Sequence, residues 1–277
     1  MKIALFRREN SHIDEKKLNY LADRLAALGA KTYSCTAVDG DIIGEDTDLM
    51  LSLGGDGTFL AAVDFLKGRR IPVAGINFGR LGFLTTAKVD EGANGWIEDL
   101  VAGRFDIEPR LLLQVGGIEL PEGVHPYCLN EFSLMRSGGS MLEITVSIDG
   151  KALPTYWADG VLVATPTGST AYSLSVGGPI VAPTTDCLII CPFAPHNLNV
   201  RPIVVSASSV IDLSFTGKDR KDANMSVDNH GFQVKSGTSV TLSQAPHKAL
   251  YVTLKNMSFI DALRDKLMWG DDIRNNK

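Results

Sequence analysis

The chain has 277 residues and a formal net charge of −5, from 27 Lys and Arg against 32 Asp and Glu. Its apolar fraction of 44% and charged fraction of 21% are those of a globular protein with a true core, in one large domain or two smaller ones. The acidic balance argues against general attraction to nucleic acid or anionic membranes, and no apolar run nears the roughly 20 residues that span a bilayer.

The opening MKIALFRREN gains charge too early for a signal peptide, so residues 2–6 read as a first strand. Leu18, Leu21, Leu25 and Leu28 recur at helical spacing across 14–28, and Gly29 stops them. Residues 32–36 form a strand. Residues 49–53 (LMLSL) form another with little alternation, as in a parallel sheet buried on both faces. A helix over 58–67, a buried strand over 71–76 and a helix over 90–102 follow. This βαβ order predicts a doubly wound α/β domain. From about residue 105 strand-like runs succeed one another. LEITVSIDGKALPTY has the alternation and the Asp149-Gly150 turn of a hairpin. VLVATP, CLIICPF, IVVSASSVIDLSF, MSVDNHGFQV, SVTLSQA and ALYVTLK read as further strands of an antiparallel sandwich. Residues 258–268 return to a helix, which is expected to pack back on the first domain. The expected domains are therefore 1–104 with the tail 255–277, and 105–254. Cys35, Cys128, Cys187 and Cys191 have no CxxC pairing and no nearby His for zinc, so reduced thiols in a cytoplasmic protein are expected.

Three stretches carry chemistry. The first is GGDGT, residues 54–58, between a strand and a helix. The dinucleotide fingerprint fails because position 60 is Leu, and the P-loop fails because no lysine follows. What remains is a turn stripped of side chains, whose amides can approach phosphates. Asp56 would repel a bare phosphate. It either caps the helix at Thr58–Phe59, or it stands by a cation-screened phosphate and takes a proton from an attacking hydroxyl. The second stretch is ADGVLVATPTGSTAYSLSVGGPIVAP, which crowds Thr165, Thr167, Ser169, Thr170, Tyr172, Ser173 and Ser175 around Gly168. It offers amides and hydroxyls to a polar ligand, with Tyr172 as a stacking face, or it is a Ser/Thr-rich helix cap. The third is LNEFS, where Asn130 and Glu131 suit ribose hydroxyls and adenine edges, or form a solvated strand end. Asp159, before VLVAT, is a turn residue or a ligand. Phe83 is a core residue or a pocket wall.

GGDGT followed by FL, then NFGRLGF, NE, DGVLVATPTGSTAYSLSVGGPI and PHNLNVRPIV, in that order, resembles the NAD kinase family nearly end to end. GGDGT by itself has close relatives in phosphofructokinases and in diacylglycerol and sphingosine kinases; TPTGSTAYSLS is far more specific. The resemblance implies an N-terminal α/β domain, a C-terminal β-rich domain and an active site between them. It implies transfer of the terminal phosphate of ATP, or of polyphosphate, to the 2′-hydroxyl of NAD's adenosine ribose. It implies a homodimer or homotetramer whose NAD site a neighbouring subunit completes. The motif-matched proton acceptor is Asp56. The matched NAD contacts are Asp56, Gly57, Phe83, Asn130, Glu131, Asp159, Thr170, Ala171, Tyr172, Ser173, Leu174 and Ser175. Gly54, Gly55, Gly57 and Thr58 form the donor-phosphate loop. Mg²⁺ is expected with the donor phosphates, and no protein metal ligand is named. Two places depart from the family pattern. Trp157 stands where relatives often carry Arg, and Asp228-Asn229-His230 replaces a DG or DSQ-like turn, which makes Trp157, Asn229 and His230 secondary candidates. The rival readings are a lipid or sphingoid-base kinase and a non-catalytic nucleotide-binding regulator. The hydroxyl-rich 165–175 lining speaks against the first and an acid at position 56 against the second.

Overall fold

LMLSL and VAGIN are apolar at nearly every position because their strands are covered on both faces, and every residue of each is buried. The computed structural model describes residues 1–9, 13–36, 43–79, 82–90, 94–217, 222–254 and 258–267. It divides into two compact units, Met1–Pro109 with Leu250–Lys277, and Arg110–Ala249.

The first stretch of chain forms β1 (Lys2–Arg7), α1 (Glu15–Ala27), β2 (Lys31–Thr36), β3 (Leu49–Leu53), α2 (Asp56–Leu66), β4 (Val73–Asn77), β5 (Ala87–Lys88), α3 (Gly95–Val101) and β6 (Phe105–Arg110). Then come β7 (Leu113–Gly116), β8 (Tyr127–Cys128), β9 (Glu131–Arg136), β10 (Leu142–Ile148), β11 (Lys151–Ala152), β12 (Tyr156–Ala158) and β13 (Gly160–Ala164). A 3-10 turn (Thr167–Thr170) and α4 (Tyr172–Ser175) lead to β14 (Cys187–Phe193), β15 (Ile203–Ser206), β16 (Ile211–Gly217), β17 (Ala223–Val227), β18 (His230–Val234) and β19 (Ser239–Gln244). The last described elements are β20 (Ala249–Leu254) and α5 (Phe259–Leu267).

The sheet of the first unit runs β2-β1-β3-β4-β20-β6, with β5 beside β4. The β1–β2, β1–β3, β3–β4, β4–β5 and β4–β20 pairs are all parallel. Asp14 caps α1, its carboxylate accepting from the Lys16 amide at 2.9 Å. Leu21 and Leu25 then face the sheet. α2 buries Phe59, Leu60, Ala62, Phe65 and Leu66, the large ones stabilising by about 2 kcal/mol each. Among the described residues no helix is long and apolar enough to cross a membrane.

The second unit holds two sheets, ordered β11-β10-β16-β19-β7-β8 with β12 beside β10, and β15-β14-β13-β9-β17-β18. Alternate residues of both sheets make one core: Ile144 and Val146 of β10 and Phe215 of β16 meet Phe132 and Leu134 of β9 and Val161 and Val163 of β13. The opposite face of β13 and β14 is covered as well. There Leu162, Ala164, Ile189, Cys191 and Phe193 pack with Val176 and Val181 of the segment after β13. Double coverage is why VLVA and CLIICPF show no alternation. The Asp149-Gly150 hairpin turn forms with φ +50° and +75° at its two residues.

Some elements differ from their sequence reading. ALYVTLK reads as part of the β block, but β20 lies in the parallel sheet of the first unit, where Val252 and Leu254 join the core of Ile76 and Ala74. A short apolar run carries no mark of the sheet it will enter. IVVSASSVIDLSF is two strands, β15 and β16. α2 begins at Asp56, two residues before the expected start. Of the helix expected over 90–102, residues 91–93 lie outside the described residues; Arg80, Leu81, Met268 and the rest of the tail do too.

Candidate functional site

In the first unit the glycine turn gives β3 a sharp exit into α2. Gly54 has φ +150°, and a Cβ on it would stand 2.4 Å from Thr58 Oγ1, so only glycine fits there. Its amide donates to the Ile76 carbonyl at 2.8 Å. Gly55 is the N-cap of α2 and lies in the open, with nothing within 4 Å of the place a Cβ would take. A Cβ on Gly57 would stand 3.7 Å from Arg8 Nη1, which puts a guanidinium beside the first turn of the helix. The amides here belong to the electropositive end of α2.

Asp56 does not cap the helix: no side-chain cap bond closes its start. The carboxylate reaches instead to the turn after β4. Oδ2 accepts from the Phe83 amide and Oδ1 from the Leu84 amide, each at 2.9 Å. Gly82 is pressed against it, since a Cβ there would fall 1.9 Å from Asp56 Oδ1. NFGRLGF thus contributes backbone to Asp56, with Phe83 half-buried. Asp56 is fixed by two amides and keeps a second lone-pair direction on each oxygen.

In the second unit LNE and TPTG are one structure. The Asn130 carbonyl accepts from Thr165 N at 2.8 Å, and Thr165 Oγ1 donates to the Leu129 carbonyl at 2.5 Å. The same hydroxyl accepts from the Gly168 amide at 3.1 Å. A Cβ on Gly168 would lie 2.2 Å from the Asn130 carbonyl oxygen, so the turn closes onto that strand only without a side chain. Asp228, at the tip of the β17–β18 hairpin with φ +47°, clamps the other side. Its carboxylate accepts from the Leu129, Asn130 and Glu131 amides at 2.7, 2.9 and 3.0 Å, and its own amide donates to the Glu131 carbonyl at 3.0 Å. Sequence reading singled out the neighbours Asn229 and His230 and missed Asp228; nothing in its spacing marks a carboxylate that folds back over three amides. Asn229 is exposed at the hairpin tip and His230 begins β18.

Glu131 shares this clamp. Burial, and then the negative charge of Asp228, push its carboxyl from the ordinary 4.5 up to about 8, against the opposing pull of a hydrogen bond from the Tyr172 amide. Its Oε2 is buried with no protein partner. A buried carboxyl oxygen of this kind is a place for a ligand hydroxyl.

The run from Thr170 to Ser175 divides by side chain. Tyr172 and Ser175 are exposed, Thr170, Ala171 and Leu174 half-buried, and Ser173 buried with its Oγ 3.4 Å from Cys191 Sγ. Ser173 therefore anchors the segment to β14. The Tyr172 ring rests on Phe193 with centroids 5.0 Å apart. Asp159 precedes β13 and is ion-paired to Arg136, a residue that sequence reading also missed. Trp157 is exposed, with its amide on Asn197 Oδ1 at 3.2 Å.

Comparison with known proteins identifies the class first. The fold is that of yeast NADH kinase complexed with NADH (TM-score 0.83, 23% identity, covering 100% of this chain and 90% of that one). An NAD kinase from Archaeoglobus fulgidus in complex with ATP is likewise similar (TM-score 0.79, 27% identity, 97% of this chain and 99% of that one). Residues 9–105 match the ATP-NAD kinase N-terminal domain and residues 129–254 the ATP-NAD kinase C-terminal domain. The NAD kinase of Cytophaga hutchinsonii is 43% identical over 229 residues, 82% of this chain and 78% of that protein. That of Porphyromonas gingivalis W83 is 41% identical over 265 residues, 95% and 88% of the two chains. The chain belongs to the NAD kinase family, and so to the phosphotransferases.

Proposed function

We propose that this chain moves the terminal phosphate of ATP onto the 2′-hydroxyl of NAD's adenosine ribose, with Asp56 as the proton acceptor. The observation that carries this reading is the Asp56 carboxylate, held by the Phe83 and Leu84 amides at 2.9 Å on the first turn of α2, beside open glycine amides. The ribose hydroxyl gives up its proton to Asp56 as its oxygen bonds to phosphorus and ADP leaves. Gly54, Gly55, Gly57 and Thr58 shape the loop that receives the donor phosphates, and Mg²⁺ arrives with them as part of the substrate. Polyphosphate, carrying the same phosphoanhydride chemistry, is the alternative donor.

Asn130, Glu131, Asp159 and the run Thr170, Ala171, Tyr172, Ser173, Leu174 and Ser175 hold NAD in this reading, with Gly57 and Phe83 near it. The buried, unpartnered Glu131 Oε2 suits a ribose hydroxyl, and the exposed Tyr172 ring suits a base. Ser173 serves by fixing the segment. Trp157, Asn229 and His230 remain secondary. A homodimer or homotetramer in which a neighbouring subunit completes the NAD site, and a cytoplasmic location suited to four buried thiols, belong to the same proposal.

The test is purified protein with NAD, ATP and Mg²⁺, reading NADP through an NADP-specific dehydrogenase. NADP should accumulate, and Asp56→Asn should lower kcat by ~10²–10⁴ while NAD still binds. No NADP from the unmodified protein sinks the reading; near-full turnover in the variant removes Asp56 as the base. Parallel reactions with polyphosphate or NADH settle donor and acceptor range.

A further inference from the structure

Where β9 ends and β13 begins, the six-stranded sheet carries a charge pair that neither the glycine turn nor the NE clamp requires. Arg136 is the last residue of β9, and Asp159 stands immediately before β13. Their backbones are joined: the Arg136 amide donates to the Asp159 carbonyl at 2.9 Å, and the Asp159 amide to the Phe193 carbonyl at 3.0 Å. Arg136 Nε then meets Asp159 Oδ1 at 2.7 Å. The guanidinium has a second anchor, donating through Nη1 to the Gly138 carbonyl. Alongside, the Tyr172 ring lies on Phe193 and its hydroxyl is 3.8 Å from Met135 Sδ, one residue before Arg136.

The sheet fixes the backbone of Asp159 but not its side-chain torsions. A carboxylate 34% exposed would otherwise turn freely in water. A doubly anchored guanidinium removes that freedom and holds one oxygen, leaving Oδ2 as an acceptor in a set direction. We infer that Arg136 is a positioning residue for the nucleotide: it holds Asp159 so that the free oxygen accepts from an N–H of a base stacked near Tyr172, or from a hydroxyl of the ribose that carries it. This rests on the proposal that Asp159 contacts NAD. The contrary arrangement is a latch, in which the pair must open before the base can bind.

The measurement is NAD steady-state kinetics on four proteins, Arg136→Ala, Arg136→Lys, Asp159→Asn and the Arg136→Ala/Asp159→Asn double variant, with thermal melting of each. Arg136→Ala should raise the NAD KM about fivefold, the scale of a half-exposed ion pair, with kcat within about twofold. Arg136→Lys should recover part of the loss, since it keeps the charge without the fork. The double variant should be no worse than Asp159→Asn alone. If Asp159→Asn raises KM while Arg136→Ala leaves it unchanged or lowers it, the positioning role is wrong and the NAD assignment of Asp159 stands. If Asp159→Asn leaves KM unchanged, that assignment falls and takes Arg136 with it. Should Arg136→Ala fail to fold, Arg136→Gln keeps the stem packing and is read by the same split between KM and kcat.

Discussion

At the scale of single residues, each unit holds an aspartate whose carboxylate is fixed by backbone amides. Asp56 takes two amides and Asp228 three. Because Gly82 presses on Asp56, Gly82→Ala should displace the carboxylate and lower kcat by roughly tenfold or more, with a smaller effect on the NAD KM; unchanged kcat would show the placement of Asp56 to be unimportant. Asp228→Ala leaves three amides without their acceptor, so it should cost about 3 kcal/mol in urea unfolding, and Asp228→Asn less. Glu131 gives a pH signature. Its carboxyl is held at about 8 in the fold against an ordinary 4.5, so the unfolded chain releases this proton first. The contribution is therefore fully present below about pH 4.5 and is lost as pH rises towards 8. Glu131→Gln should gain on the unmodified protein in melting temperature between pH 5 and 9; a constant gap would contradict the shift. Asp56 was legible in the sequence because its glycine neighbours made it conspicuous. Asp228 and Arg136 were not, since an aspartate at a hairpin and an arginine at a strand end are common, and only the fold reveals what they touch.

At the scale of elements, the same limit has a different cause. The βαβ order, the buried LMLSL strand and the Asp149-Gly150 hairpin were readable because periodicity and turn chemistry are local. TPTGSTAYSLS was readable as a hydroxyl-rich turn but not as a cover. Its second task, begun by Ser173 against Cys191 and Tyr172 against Phe193 and completed by the following Val176 and Val181, is to close the outer face of β13 and β14, and it depends on partners from other parts of the chain. Gly168 links the two tasks, for it lets the turn lie on the Asn130 backbone. Gly168→Ala places a methyl against backbone that cannot swing aside. It should cost ~1–3 kcal/mol in urea unfolding and weaken NAD binding together. A stable variant with normal NAD binding would separate the turn from the strand.

At the scale of the molecule, the first unit is made of two pieces of chain, because β20 lies between β4 and β6 in its sheet. The expected boundary near residue 255 put that strand on the wrong side, since which sheet a strand joins is decided by the whole fold. A chain truncated after Ala245 keeps β7–β19 but loses β20, and should show no phosphotransfer activity. The excised segment 110–249 is continuous and encloses its own core, so it should unfold in one cooperative urea transition. Absence of that transition would mean the segment needs the rest of the chain. The placement of β20 also orders events during synthesis. Once β6 has left the ribosome it has no neighbour to pair with until β20 is translated. At ~5–20 residues per second, the intervening second unit imposes a wait of about 7–30 s. Through that interval the exposed edge of β4 must be kept from other nascent chains, and the second unit, though later in sequence, is the first that can finish folding.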